Sequence, residues 1–173
     1  MNSTLRRIVP LLIAGLMLSM LSMGVAFGNE VIQTQESDTW DGIEVDLTSL
    51  KVKNEIITLR FKFRNEGDEE QEVSFYFMNC YIMDEVNQKK YYPLKDSDGF
   101  FIAGPSAGDH RGGYFEVTIE PSKSKGLWLK FPQPTDNPET ITISIPGVFP
   151  FEEIELIQEK EDEEEEDAAE DEE

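Results

Sequence analysis

Ile57-Thr58-Leu59-Arg60-Phe61-Lys62-Phe63 alternates apolar and polar side chains without a break. Successive side chains of an extended chain point to opposite faces, so the stretch predicts a strand with one face buried and one face of Thr, Arg and Lys in water. Asn65-Glu66-Gly67-Asp68 follows with turn chemistry, Gly67 being able to take positive φ. Val73, Phe75 and Phe77 then resume the alternation against Ser74 and Tyr76. The two runs are expected to form a hairpin.

Working outward, the theme repeats. An earlier strand is expected near Ile43 to Val52. The alternation loses phase at Met78, Asn79 and Cys80 before Tyr81-Ile82-Met83, which predicts a bulge or a bend where the chain leaves one sheet. Polar residues 84–89 make a turn, and Lys90-Tyr91-Tyr92-Pro93-Leu94 reads as a short return strand at an edge. Three further alternating sets follow: Phe115, Val117 and Ile119; Leu127, Leu129 and Phe131; Ile141, Ile143 and Ile145. A last strand is expected near Phe151 to Ile157. About eight short strands with no amphipathic helix between them predict an all-β fold, an antiparallel β-sandwich of about 7–8 strands, with a closed barrel as the alternative.

The ends of the chain differ from this body. Arg6 and Arg7 precede an apolar run from Ile8 to Gly28, and Ala26 and Gly28 supply a small-x-small site, the plan of an export signal over 1–28. The run is close to the ~20 residues that span a bilayer, so an uncleaved anchor is the alternative. Both place the remainder outside the cytoplasm, secreted or extracytoplasmic, at the periplasm or cell surface, through the general secretory route; membrane contact is expected only if the segment is retained. Residues 29–41 are expected to be a flexible segment, 42–158 the sandwich, and 159–173 an acidic tail. That tail holds 12 acids and one Lys, cannot bury apolar surface, and is expected to be disordered.

Charge and chemistry narrow the function. With the signal's two Arg set aside, 13 basic residues face 36 acidic ones, and such a surface repels nucleic acid. Cys80 is the one cysteine and His110 the one histidine, so no disulfide can form within the chain; Cys80 reads as a small buried apolar residue. No nucleophile motif or Gly-rich phosphate loop occurs, and no enzyme is expected. Asp96-x-Asp98-Gly99 resembles half a calcium loop, which makes Asp96 and Asp98 weak calcium candidates, but it lacks the remaining ligands of an EF-hand and reads first as an Asx turn.

Lys95 to Gly113 is the unusual stretch: 19 residues, five of them Gly, carrying Phe100-Phe101-Ile102. Loops of that length are functional or hide an element. Either Phe100 or Phe101 tucks into the core and a short strand hides here, or Asp98, Phe100, Phe101, His110 and Arg111 form a partner-binding patch.

The run from Leu127 to Pro134, followed by Ile141 to Glu152, resembles the closing strands of secreted bacterial immunoglobulin-like domains of the telokin-like type. The Asn65-Glu66-Gly67-Asp68 turn and Asp96-Ser97-Asp98-Gly99 after Tyr91-Tyr92-Pro93-Leu94 are similar too, so the likeness covers roughly Gly42 to Ile157. It implies an exported, non-catalytic accessory domain with no catalytic residues to carry over. The expected function is thus a binding module that meets a protein partner, basic if it answers the charge of the chain. The alternative is a calcium-binding structural or buffering protein that uses its tail.

Overall fold

The computed structural model describes residues 31–107 and 113–156. These form eleven strands: β1 (Gln33–Glu36), β2 (Ile43–Lys53), β3 (Ile56–Asn65), β4 (Gln71–Tyr76), β5 (Tyr81–Asp84), β6 (Lys89–Tyr91), β7 (Ala103–Gly104), β8 (Tyr114–Ile119), β9 (Ser124–Pro132), β10 (Thr140–Ser144) and β11 (Phe151–Glu155). A single 3-10 turn, Phe77–Asn79, stands between β4 and β5. The described residues are all-β, and every strand pairing among them is antiparallel.

The strands make a sandwich-like stack. One layer is the sheet β1-β2-β3-β9-β7, and facing it are the sheet β11-β10-β5-β6 and the pair β4-β8. Rings join the layers: Phe61 meets Phe151 with centroids 5.6 Å apart, and Phe63 meets Phe75 at 6.1 Å and Phe115 at 5.4 Å. Ile57, Leu59, Phe61 and Phe63 of β3 are all buried, as their alternation predicts. This strand sits at the centre of its sheet because its neighbours in register are β2 on one side and β9 on the other.

That placement corrects the expected hairpin. Both edges of β3 are occupied, so residues 66–70 carry the chain to the other layer, where β4 pairs with β8 from Gln71↔Ile119 to Tyr76↔Tyr114. Period-two alternation tells which face is buried and leaves the neighbour open. Asn65 holds the crossing: its Nδ2 donates to the carbonyls of Glu69 and Ile119, each at 2.8 Å, and its Oδ1 accepts from the Gly67 N–H at 2.9 Å. Gly67 does not take positive φ; its backbone instead lies against Gly42, where there is no room for a side chain. A Cβ on Gly42 would lie 2.7 Å from the Gly67 Cα.

Other differences have local causes. The hairpin near residue 55 is β2-β3, closed by Asn54 and Glu55, both at positive φ as the two-residue turns matching strand twist require. Residues 33–36, within the segment expected to be flexible, pair with β2 from Gln33↔Leu47 to Glu36↔Glu44. Their composition, Gln-Thr-Gln-Glu, carries no apolar alternation to announce a strand. The two-residue β7 lies inside the long Gly-rich stretch and pairs with Leu129 and Trp128 of β9. At residues 77–80 the loss of phase marks the 3-10 turn, which delivers the chain from β4 to β5 in the neighbouring sheet. Cys80 ends that turn fully buried, and burial pushes its thiol well above the ordinary range.

Candidate functional site

The end of the sandwich built from the 3-10 turn and the stretch after β6 gathers aromatic side chains. Lys95 and Phe101 form an isolated antiparallel bridge, and the Asp96 N–H donates to the Phe100 carbonyl at 2.8 Å, so residues 95–101 make a tight loop. Asp96 closes it from inside: its Oδ1 accepts the N–H of Asp98 at 3.0 Å and of Phe100 at 2.8 Å. This is the Asx-turn chemistry that Asp favours. Asp98 contributes its backbone to the loop. Among the described residues no three His, Cys, Asp or Glu side chains converge as a metal site requires.

The two phenylalanines part ways. Phe101 turns inward, packs against the core, and meets Phe77 with ring centroids 6.2 Å apart. Lys95 Nζ sits 4.3 Å from the centroid of the Phe101 ring, a cation–π contact. Phe100 stays outside, 47% exposed. His110 and Arg111 lie outside the described residues.

The contact between Phe77 and Phe101 ties the loop to the end of β4, where further apolar surface is exposed. Met78, next to Phe77, is 61% exposed, and Tyr76 is 44% exposed. Tyr76 meets Tyr114, its partner across the β4-β8 ladder, with tilted rings 4.8 Å apart. The Phe77 N–H donates to Gly113 at 2.8 Å and the Ala107 N–H to Tyr114 at 2.7 Å, so the Gly-rich stretch is anchored on both sides of residues 108–112. Exposed Tyr76, Met78 and Phe100 therefore flank a fixed Phe77–Phe101 joint. Tyr76 was legible as an outward residue of its alternating strand. Met78 was not, because a 3-10 turn has no period-two pattern.

A second feature was hidden from sequence reasoning. The turn from Ser37 to Gly42, with Glu36, Asp38, Asp41, Glu44 and Glu66, lines an acidic groove of about 460 Å³. Ser37 Oγ shapes the turn by accepting the N–H of Thr39 at 3.0 Å and of Trp40 at 2.7 Å while donating to the Gly147 carbonyl at 2.6 Å. Trp40 thereby reaches Phe75, with rings 6.3 Å apart. At the rim, Arg64 pairs with Glu44 and Asp46, each at 2.7 Å, and with Glu66. Burial works against the Asp46 carboxylate, yet hydrogen bonds from Arg64 and Thr34 hold it below the usual aspartate range. Long-range register brought these acids together, and no local motif signals it.

No family model and no curated protein matches the chain. Among solved structures, the crystal structure of the yjhA protein from Bacillus subtilis is similar at 12% sequence identity and a TM-score of 0.40, over 65% of this chain and 78% of that one.

Proposed function

We propose that the chain is an exported, non-catalytic binding module with an immunoglobulin-like sandwich of the telokin-like type, which meets a protein partner outside the cytoplasm through its aromatic end. The observation that carries this reading is the exposure of Tyr76, Met78 and Phe100 around the Phe77–Phe101 joint. Large apolar side chains held in water by a rigid frame favour association, and aromatic residues and Met are enriched at interface centres. The N-terminal Arg pair and apolar run support export, and the two-layer antiparallel stack supports the immunoglobulin-like reading. The acidic groove beside Trp40 favours a partner with a basic rim.

Replacing Met78 and Phe100 together by Ser tests the reading. The expected result is an unchanged thermal midpoint with loss of the partner crosslinked to the native chain in intact cells. Retained crosslinking would remove this end from the interaction.

A further inference from the structure

Part of the outward face of the five-stranded sheet, away from the acids Glu36, Glu44 and Asp46 at its other end, carries positive charge on an acidic chain. Cross-strand register sets Lys51, Thr58 and Lys130 in one row across β2, β3 and β9, and Ser49, Arg60 and Trp128 in the next. Lys62 follows Arg60 on the same face, opposite Asp46. Lys51, Arg60 and Lys62 are exposed and Lys130 is half-buried. Among the described residues no carboxylate ion-pairs with Lys51, Arg60 or Lys130, whereas Arg64 farther along is engaged by three acids. Lys51, Arg60 and Lys130 thus present positive charge that no described carboxylate neutralises, and such a patch attracts anions. It lies on a chain of formal net charge -21.

The chain's own acidic run begins three residues past Leu156, the last described residue. A groove of about 330 Å³ is lined by Ile32, Gln33, Leu50 and residues 152–155, which places the end of β11 beside Leu50, the residue before Lys51. Leu156 follows, its N–H donating to Glu139 at 3.0 Å, and residues 157–173 continue from there. Fully extended, that length reaches about 55 Å. The distance across the sheet from β2 to β9 is only about 10 Å.

We propose that the acidic segment 159–173 folds back over Lys51, Arg60, Lys62 and Lys130 and occupies this face as the chain's own anionic ligand. Tethering gives it an effective concentration on the order of mM, so a separate anion reaches the face only by displacing it. The assignment is independent of the aromatic end and survives its failure.

The test uses the full chain and a variant in which the twelve acids of 159–173 are replaced by Gln and Asn. The probe is a labelled synthetic peptide of native sequence 159–173, titrated at low salt. The neutral-tail variant is expected to bind it at least tenfold more tightly than the native chain, and adding K51S, R60S and K130S is expected to abolish binding with the thermal midpoint retained. Equal binding by native and neutral-tail chains, no binding by the neutral-tail chain, or binding that survives the triple substitution overturns the proposal. In the native chain, carbodiimide is expected to join tail carboxylates to Lys51, Lys62 or Lys130 within one molecule. Crosslinks exclusively between molecules would assign the tail to a second copy and overturn it as well.

Discussion

Asn65 fastens a strand end, a turn and a distant strand with one side chain, since its three hydrogen bonds reach Gly67, Glu69 and Ile119. Asn65→Ala removes all three bonds from a fully buried side chain and leaves the Ile119 carbonyl, the buried one of the three partners, without that donor. Urea unfolding is expected to show a loss of about 3 kcal/mol. Phe100 and Phe101 give a sharper contrast because they are neighbours in sequence with opposite surroundings. Phe101→Ser removes a ring from the core margin and is expected to cost about 2 kcal/mol, while Phe100→Ser stays within ~0.5 kcal/mol in the same unfolding measurement. Asp46 and Asp84 add a pH dependence. Asn87 donates to Asp84 through its side chain at 2.8 Å and its backbone at 3.0 Å, so Asp84, like Asp46, is held below the ordinary aspartate value. A carboxylate with a lowered folded pKa contributes stability that is complete above its unfolded pKa, near ~3.9, and is lost as pH falls through the folded value. Urea midpoints measured downward from about pH 5 should therefore fall, and D46N should flatten that slope.

At the scale of elements, the ends of β2 and β3 meet where backbone presses on backbone. Gly42 has φ +69°, and a Cβ there would press on Gly67, while a Cβ on Gly126 meets nothing closer than the Phe61 carbonyl at 3.9 Å. Gly42→Ala is expected to lower stability by at least ~2 kcal/mol and Gly126→Ala to leave it nearly unchanged, as read from thermal midpoints. The same distinction explains what the sequence could tell. Alternation identified β3, β8 and β9 and their buried faces, because a sheet with one face in the core imposes a period of two. It could not say that β3 lies between β2 and β9, since pairing is a long-range property. β1 was missed because a polar four-residue edge buries too little to leave a pattern, and β7, expected only as a short strand somewhere in Lys95 to Gly113, is too short for alternation to locate. The candidate site was half legible: Asp96, Phe100 and Phe101 stood out in an odd loop, but Met78 and Tyr76 join them only through the fold.

For the whole molecule, charge and apolar exposure divide the surface. The surface is acidic around Trp40, the outward face of the five-stranded sheet is basic from Lys51 to Lys62 and Lys130, and exposed Tyr76, Met78 and Phe100 flank the Phe77–Phe101 joint. The binding reading places the partner on the aromatic end, and it makes a spatial claim that a photo-activatable side chain can check. Such a group would be installed in separate full-length chains at Met78, at Phe100 and at Val86, the last an 83% exposed control in the turn after β5. After irradiation of cells producing each chain, positions 78 and 100 are expected to yield adducts with the same partner and position 86 none. No adduct from 78 and 100, or the same adduct from all three positions, would contradict the account.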